Sequence, residues 1–360
     1  MRHRKVFFLS RQWKNDHPVL LRWKDYYESR GVIFIAKNIQ WNIYYPDRKR
    51  KIHQLVKLLF ELLRHRCFLM HSNDPDSGML ATWMWRLFRI PFIFDAHEVF
   101  SCEYPLSIES HFYKEHKALV EQTAMPLAKM VVVPNKQRVE LFQTMYPALQ
   151  HVNYVVIENK SWSGANASSS IKIHSFTNGS RTVFYGGTFW MGRKQESFPK
   201  LAQGLQKASM QLVLSGEHND YLQQLLSSEA VFYAGNIPVN AYLDFAGQMD
   251  IALAWYYPTT VNDELCAPLK IFDYLAVNKP ILAPRLPYLI ELSERFPGVI
   301  HLFEPGNWED CLEKAKMISA SYDQYATLGE RIEKATISWE GQYPFMDSIF
   351  KKAGIHLCVA

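Results

Sequence analysis

Short runs of apolar residues, each four or five long and followed by a stretch with helical spacing, recur along this chain and restrict its fold more than any other feature. They lie at 6–9, 32–36, 67–71, 91–94, 130–133 and 154–157, and again at 182–185, 211–214, 231–234, 250–254, 280–283 and 299–302. A short apolar run bounded by turn residues reads as a buried strand. Strands that alternate with helices read as a parallel sheet covered on both faces. A stretch rich in Ser, Asn and Gly (Ser161, Ser163, Gly164, Ser168, Ser169, Ser170, Gly179, Ser180) separates the two sets of runs. It is the strongest linker signal in the chain. The expected fold is therefore α/β, with two doubly wound Rossmann-like domains. The first occupies 1–160, a linker 161–180, the second 181–336, and a last helical segment 337–360.

Size and composition agree with this. A chain of 360 residues is too long for one core of average size, and 48% hydrophobic with 21% charged residues is a globular balance. The five cysteines are scattered without metal-ligand spacing, which points to a reducing compartment. The apolar run behind the basic N-terminus is too short for a signal peptide. No stretch reaches the roughly 20 apolar residues of a spanning helix. The expectation is a cytoplasmic protein that binds no nucleic acid.

The formal net charge of +5 is concentrated. Residues 47–66 hold seven Lys/Arg against two acidic residues, on a helix expected over 50–66. Ile52, Leu55, Val56, Leu59, Leu62 and Leu63 share one side of it, and Trp41, Tyr44 and Tyr45 precede it. Two readings stand. The helix covers the sheet and shows water a basic face, or it rests on an anionic membrane surface, where each Lys/Arg near lipid adds about 1 kcal/mol.

Four stretches carry the chemistry. In 263–276, Pro268 stands where helices favour a proline, and Leu269, Phe272, Leu275 and Ala276 line a core face. Lys270 and Asp273, three apart, share another face. Cys266 and Ala267 are poor N-caps, so the first-turn N–H groups are open to water or to an anion. Gly186 and Gly187 follow a buried strand, where two glycines let backbone approach a phosphate or simply make a tight turn. Arg193 and Lys194 follow as partners for that charge, or as a solvated pair. Asp95, His97 and Glu98 stand at a strand's C-terminal end, where open α/β sheets place ligands. Asp74-Pro75-Asp76 matches a metal-binding Asp-x-Asp pattern, yet these residue types also favour a turn before a helix.

Together these motifs resemble the retaining glycosyltransferases of the GT-B fold, family 4-like in particular. The stretch from Pro268 to Ala276 with Asn278-Lys279-Pro280 is similar to that family's donor-site helix and next strand. The 95–98 loop, Tyr185-Gly186-Gly187 with Arg193, Glu158-Asn159 and Ser338-Trp339-Glu340 fit as well. The resemblance implies two domains facing a central cleft, with the C-terminal helix crossing back to the first domain. It implies catalytic roles for His97, Arg193 and Lys270. Donor binding falls to Gly186, Gly187, Lys194, Asn236, Ile237, Glu264, Leu269 and Asp273, with Asp273 on the ribose. Asn73 and Asp74 face the acceptor side. The implied substrates are a nucleotide-sugar donor and a glycan or lipid-linked acceptor, with no metal or other cofactor required. Two departures stand out. Leu265 occupies the position eight before Asp273 where the family often has a glutamate, and residues 10–16 replace a Gly-Gly loop. A sugar-nucleotide epimerase and a non-catalytic nucleotide- or glycan-binding module on the same fold are the rival readings.

Overall fold

The computed structural model describes residues 4–10, 17–39, 48–103, 111–165, 179–226 and 228–357, and for 48–55, 112 and 165 the backbone alone. The expected linker residues 166–178, the 11–16 loop and Trp41, Tyr44 and Tyr45 lie outside the described residues. The chain divides into two units, Met1–Glu158 with Gln342–Ala360, and Asn159–Gly341.

In the first unit β1 (Lys5–Ser10), β2 (Ile33–Asn38), β3 (Leu69–Ser72), β4 (Phe92–Asp95), β5 (Met130–Val133) and β6 (Tyr154–Val156) alternate with five helices. These are α1 (Pro18–Glu28), α2 (Arg48–His65), α3 (Pro75–Phe88), α4 (His111–Ala124) and α5 (Lys136–Met145). The strands pair in parallel in the order β2-β1-β3-β4-β5-β6. The central strands are buried along their length because helices cover both faces. Helix α3 lies so close to β4 that a Cβ at Gly78 would stand 2.4 Å from the Phe94 ring.

The second unit carries β7 (Arg181–Gly186), β8 (Met210–Ser215), β9 (Val231–Tyr233), β10 (Ile251–Leu253), β11 (Ile281–Pro284) and β12 (Ile300–Phe303). Its helices are α6 (Phe198–Lys207), α7 (Asp220–Leu225), α8 (Tyr242–Gly247), α9 (Val261–Glu264), α10 (Leu269–Ala276), α11 (Pro287–Arg295), α12 (Trp308–Ala320), α13 (Tyr322–Glu330) and α14 (Lys334–Ile337). The sheet is again parallel, in the order β12-β11-β10-β7-β8-β9. This is the doubly wound dinucleotide-fold order, with β7 and β10 at its centre. Two aromatic-rich cores fill its faces, one around Phe272, Tyr274 and Leu275, the other around Tyr185, Phe198 and Trp255. All twelve apolar runs are strands.

Helix α15 (Tyr343–Lys352) returns to the first unit, as expected, and is fastened to α1. Arg30 grips both carboxylate oxygens of Asp347, at 2.9 and 2.7 Å, and Tyr26 donates to the same group at 3.0 Å. The Arg30 guanidinium also lies over the Tyr343 ring, and Phe350 packs against Trp23, Tyr26 and Tyr27.

Helix α2 departs from the expected side-chain pattern. Leu62 is buried and Leu58 and Leu59 pack on the core, whereas Val56 and Leu63 are about half exposed (57% and 49%) and Phe60 is 65% exposed. Apolar residues stand on more than one side of this helix, and of those whose side chains are described the core takes 58, 59 and 62. Val56, Phe60 and Leu63, spaced at i, i+4 and i+7, form an outward strip. No helix among the described residues is long and apolar enough to cross a membrane.

One buried acid couples the first unit to pH. Glu121 of α4 is fully buried and accepts from the Ser101 and Tyr146 hydroxyls at 2.7 and 2.9 Å. Burial pushes its carboxyl up to about 7, against the hydroxyl bonds that pull it down. In the unfolded chain it ionises near the ordinary glutamate value, so folding is opposed as pH rises from there to about 7. Stability gained from Glu121 is complete below the unfolded value and lost as pH climbs through the folded one. Relative to Glu121→Gln, the wild type should lose roughly 3 kcal/mol between pH 4.5 and 7.5. Urea unfolding of both proteins at the two pH values measures the difference.

Candidate functional site

The middle of the second sheet is where the order of strand addition reverses: β7 leads outward toward β8, and β10 the other way toward β11. Loops leaving the C-terminal ends of two such strands diverge, and the crevice they leave is where open α/β sheets bind ligands. Gly186 ends β7 and Gly187 follows it, while Trp255 and Tyr256 follow β10.

Tyr185, next to last in β7, is fully buried and its phenol uses its whole hydrogen-bonding capacity. The oxygen accepts from Arg193 Nη1 at 3.1 Å and from Gln195 Nε2 at 2.8 Å, and donates to the Thr188 carbonyl at 2.9 Å. Lys270 of α10 reaches the same ring from the other side. Its Nζ lies 4.4 Å from the Tyr185 centroid and donates to the Gly186 carbonyl at 2.7 Å. The Tyr256 ring meets both cations, Arg193 at 4.9 Å and Lys270 at 5.3 Å. Among the described residues no carboxylate forms an ion pair with Arg193 or Lys270. Two positive charges therefore share two aromatic faces, and cation–π attraction stands in for a counter-ion. Burial, and next the Arg193 charge, push the Lys270 ammonium well below the usual lysine range.

The glycines allow this approach. A Cβ at Gly187 would lie 2.5 Å from Lys270 Nζ, and one at Gly186 would lie 2.6 Å from the Tyr242 hydroxyl. The loop bearing Arg193 is pinned from below. Trp255 Nε1 donates to the Arg193 carbonyl at 2.8 Å, and Gln195 Oε1 accepts from Trp190 N at 3.1 Å.

Helix α10 begins one residue later than its proline implied. Pro268 is the N-cap, in extended conformation at ψ 125°, and Leu269 is the first helical residue. A proline side chain offers no acceptor, so the start stays without a side-chain cap, as expected. Asp273 stands one turn beyond Lys270, half-buried, where its charge acts on Lys270 and on the tyrosines Tyr242 and Tyr274.

The remaining donor-side residues do not join this cluster. Lys194 takes a left-handed backbone conformation (φ 51°) and turns its exposed ammonium onto the Tyr257 ring at 3.8 Å, away from Arg193. Asn236 is exposed, and the Ile237 side chain belongs to the core. Glu264, at the end of the single-turn α9, is exposed and its carboxylate has no hydrogen-bond partner among the described residues. Asp263 beside it closes a capping box with Thr260 and also binds Thr259.

In the first unit the corresponding reversal lies between β1 and β3. Asn73 follows β3 and is fully buried, and its amide Nδ2 lies 3.2 Å from His97 Nδ1, beyond β4. The structure brings these two together and separates them from their acidic neighbours. Asp95 accepts from the Trp23 indole at 3.0 Å and faces the buried His71 at 3.5 Å. Glu98 pairs with the buried Arg138 at 2.7 Å. Asp74 caps α3 through the Ser77 amide, and Asp76 stands in the first turn of the same helix. Among the described residues no group of three or more His, Cys, Asp or Glu is placed to hold a metal ion.

Sequence reasoning had Tyr185 only as part of a motif, with no role of its own, and missed Gln195 and Tyr256. The available signal was position: an aromatic directly before the Gly-Gly pair, and another just beyond the facing central strand.

No protein-family model and no curated protein matches this sequence. Solved structures do. Sucrose-phosphate synthase from Thermosynechococcus elongatus superposes with a TM-score of 0.75 at 16% identity, covering 97% of this chain and 99% of that one. Anabaena Alr3699/HepE, solved in complex with UDP and glucose, gives 0.73 at 13% identity over 97% and 100%. WaaG, described as a glycosyltransferase involved in lipopolysaccharide biosynthesis, gives 0.66 at 13% identity over 96% and 99%. At such identities the likeness is one of fold, and for these three it spans nearly the full length of both chains. The protein has the GT-B fold, two Rossmann-like domains in one chain.

Proposed function

We propose that this chain is a retaining glycosyltransferase that moves a sugar from a nucleotide diphosphate to an acceptor hydroxyl. The observation that carries the reading is the pair of unneutralised cations, Arg193 and Lys270, beside Gly186-Gly187 at the reversal point of the second sheet. A diphosphate would complete that charge balance. HepE, which shares the fold, is solved with UDP and glucose, in keeping with a nucleotide-sugar donor here.

In this reading the bond between the sugar C1 and the diphosphate oxygen breaks, and its electron pair stays on the departing phosphate. Arg193, Lys270 and the open start of α10 stabilise the growing negative charge. Such pre-placed donors are often the largest catalytic contribution. The acceptor oxygen bonds to C1 on the face the phosphate leaves, and the acceptor proton passes to a phosphate oxygen, so configuration is retained. With two fixed cations in place, no divalent metal is required. Asp273 would take the ribose hydroxyls. His97, presented by Asn73, would serve the donor sugar.

For the acceptor we propose a lipid-linked glycan precursor in bacterial cell-surface polysaccharide or glycolipid synthesis, on the cytoplasmic face of the membrane. The exposed strip Val56, Phe60 and Leu63 on the basic helix α2 supports it. A non-catalytic nucleotide-binding module is the second reading. It is favoured by Leu265 at the family's glutamate position and by the exposure of Glu264. Such a module would bind nucleotide and never turn over donor.

Arg193→Ala and Lys270→Ala should each lower kcat by about 10²–10³-fold. Undiminished transfer in both, assayed with the best of a set of UDP-, GDP- and ADP-sugars, would remove the charge-clamp reading.

Binding should also take up protons. A bound diphosphate raises the depressed Lys270 back toward its ordinary range. Affinity is then constant below the free-state value and falls as pH rises from it toward the bound-state value. Calorimetric titration of the nucleoside diphosphate in two buffers of different ionisation heat, stepped in pH across that range, should give different heats. Lys270→Arg, which cannot lose its charge there, should give buffer-independent proton balance.

Flotation with vesicles containing anionic lipid at low salt should recover the wild type, and Phe60→Asp should cut the bound fraction several-fold. Equal recovery of the two would dismiss the membrane contact.

A further inference from the structure

We propose that Tyr185 is a positioning residue for the diphosphate, fixing the direction of the Arg193 guanidinium through its phenol oxygen while its ring carries Lys270. The proposal rests on the reading of this site as a diphosphate clamp.

The ring itself is immobilised. It is fully buried, with Phe189 at 5.5 Å and Phe198 at 5.3 Å, each edge-on. The phenol oxygen is therefore a fixed point supplied by the core. Arg193, by contrast, sits in a loop, between the exposed Met191 and the exposed Lys194, on a long side chain with several free torsions. Its carbonyl is held by Trp255 and its Nη1 by Tyr185, so both ends of the residue are tied. Nε and Nη2 form no hydrogen bond among the described residues. Guanidinium donors in a planar fork match two phosphate oxygens at once, and with Nη1 tied to the phenol the direction of the other donors is set.

The second role falls to the same side chain. Lys270 Nζ lies over the Tyr185 ring, and that ammonium has a carbonyl, Gly186 O, as its hydrogen-bond acceptor. Any carboxylate used to orient either cation would cancel part of the charge needed for the ligand. A phenol orients without cancelling. Burial raises the Tyr185 hydroxyl above its usual value, so it stays neutral.

A double-mutant cycle tests this. UDP, GDP and ADP are titrated first, and the tightest of them is the probe, with its nucleoside as control. Tyr185→Phe should weaken diphosphate binding about tenfold in the wild type and less than twofold in an Arg193→Ala background, leaving nucleoside binding unchanged. Equal losses in both backgrounds, or a matching loss of nucleoside, would overturn the proposal and show Tyr185 to be core packing only. Arg193→Lys gives an arm that does not depend on the Phe variant folding. One ammonium cannot hold the phenol and span two phosphate oxygens, so Arg193→Lys should bind as weakly as Arg193→Ala. Wild-type affinity in the lysine variant would overturn the proposal. If none of the three diphosphates binds, the clamp reading falls first, and this inference with it.

Discussion

Arg193 and Lys270, held in one small space with no carboxylate paired to either among the described residues, set the terms for the rest of the second unit. Such a pair repels, and burying either member costs several kcal/mol unless something compensates. Here the compensation comes from groups that carry no charge: the faces of Tyr185 and Tyr256, the Tyr185 oxygen and the Gly186 carbonyl. Each weakens the repulsion and none removes the positive potential. Gly187 follows from the same need, since a side chain there would occupy the place of the lysine ammonium. So does the tyrosine, because a buried ring fixes an oxygen where a flexible acid would introduce a charge.

The sheet explains why these groups meet. Tyr185 and Gly186 end β7, Tyr256 follows β10, and Lys270 comes from the helix after β10. β7 and β10 are adjacent although 64 residues lie between Gly186 and Ile251. That adjacency comes from the order β12-β11-β10-β7-β8-β9. All twelve strands were legible because strands of a parallel sheet, covered on both faces, are continuous apolar runs. Their order was not, because no local pattern records which strand is a neighbour. Sequence reasoning therefore reached Gly186, Gly187, Arg193 and Lys270 by motif, and could not reach Tyr256, whose role exists only once β10 lies beside β7.

Side-chain direction was the second illegible quantity. The 95–98 stretch offers three titratable residues at a strand's end, and by residue type all three look equally available. In the folded chain Asp95 turns to Trp23 and His71, Glu98 turns to Arg138, and His97 alone meets Asn73. The same lesson applies to α2. Spacing put Val56 and Leu63 on one side with Leu59 and Leu62, and the structure divides that stripe. The core took the side holding Leu58, Leu59 and Leu62 and left Val56, Phe60 and Leu63 outside.

The loop between β10 and α10 bears on both halves of this argument. It contains two carboxylates within ten residues of Lys270, and either could have neutralised the cation pair. Asp263 is instead tied by hydrogen bonds to Thr259 and Thr260, the latter in the capping box of α9, a helix of a single turn. Glu264, one residue on, faces outward. Leu265 occupies the register where a carboxylate would be carried toward α10. That one-turn helix thus ties Asp263 to its own threonines, and neither acid pairs with Lys270 or Arg193 among the described residues. Asp273 acts from within α10, a full turn beyond Lys270, and its attraction is outweighed by burial and by Arg193 in setting the lysine's protonation. The threonines that cap α9 keep Asp263 engaged within its own loop, and burial and Arg193 remain the larger influences on Lys270.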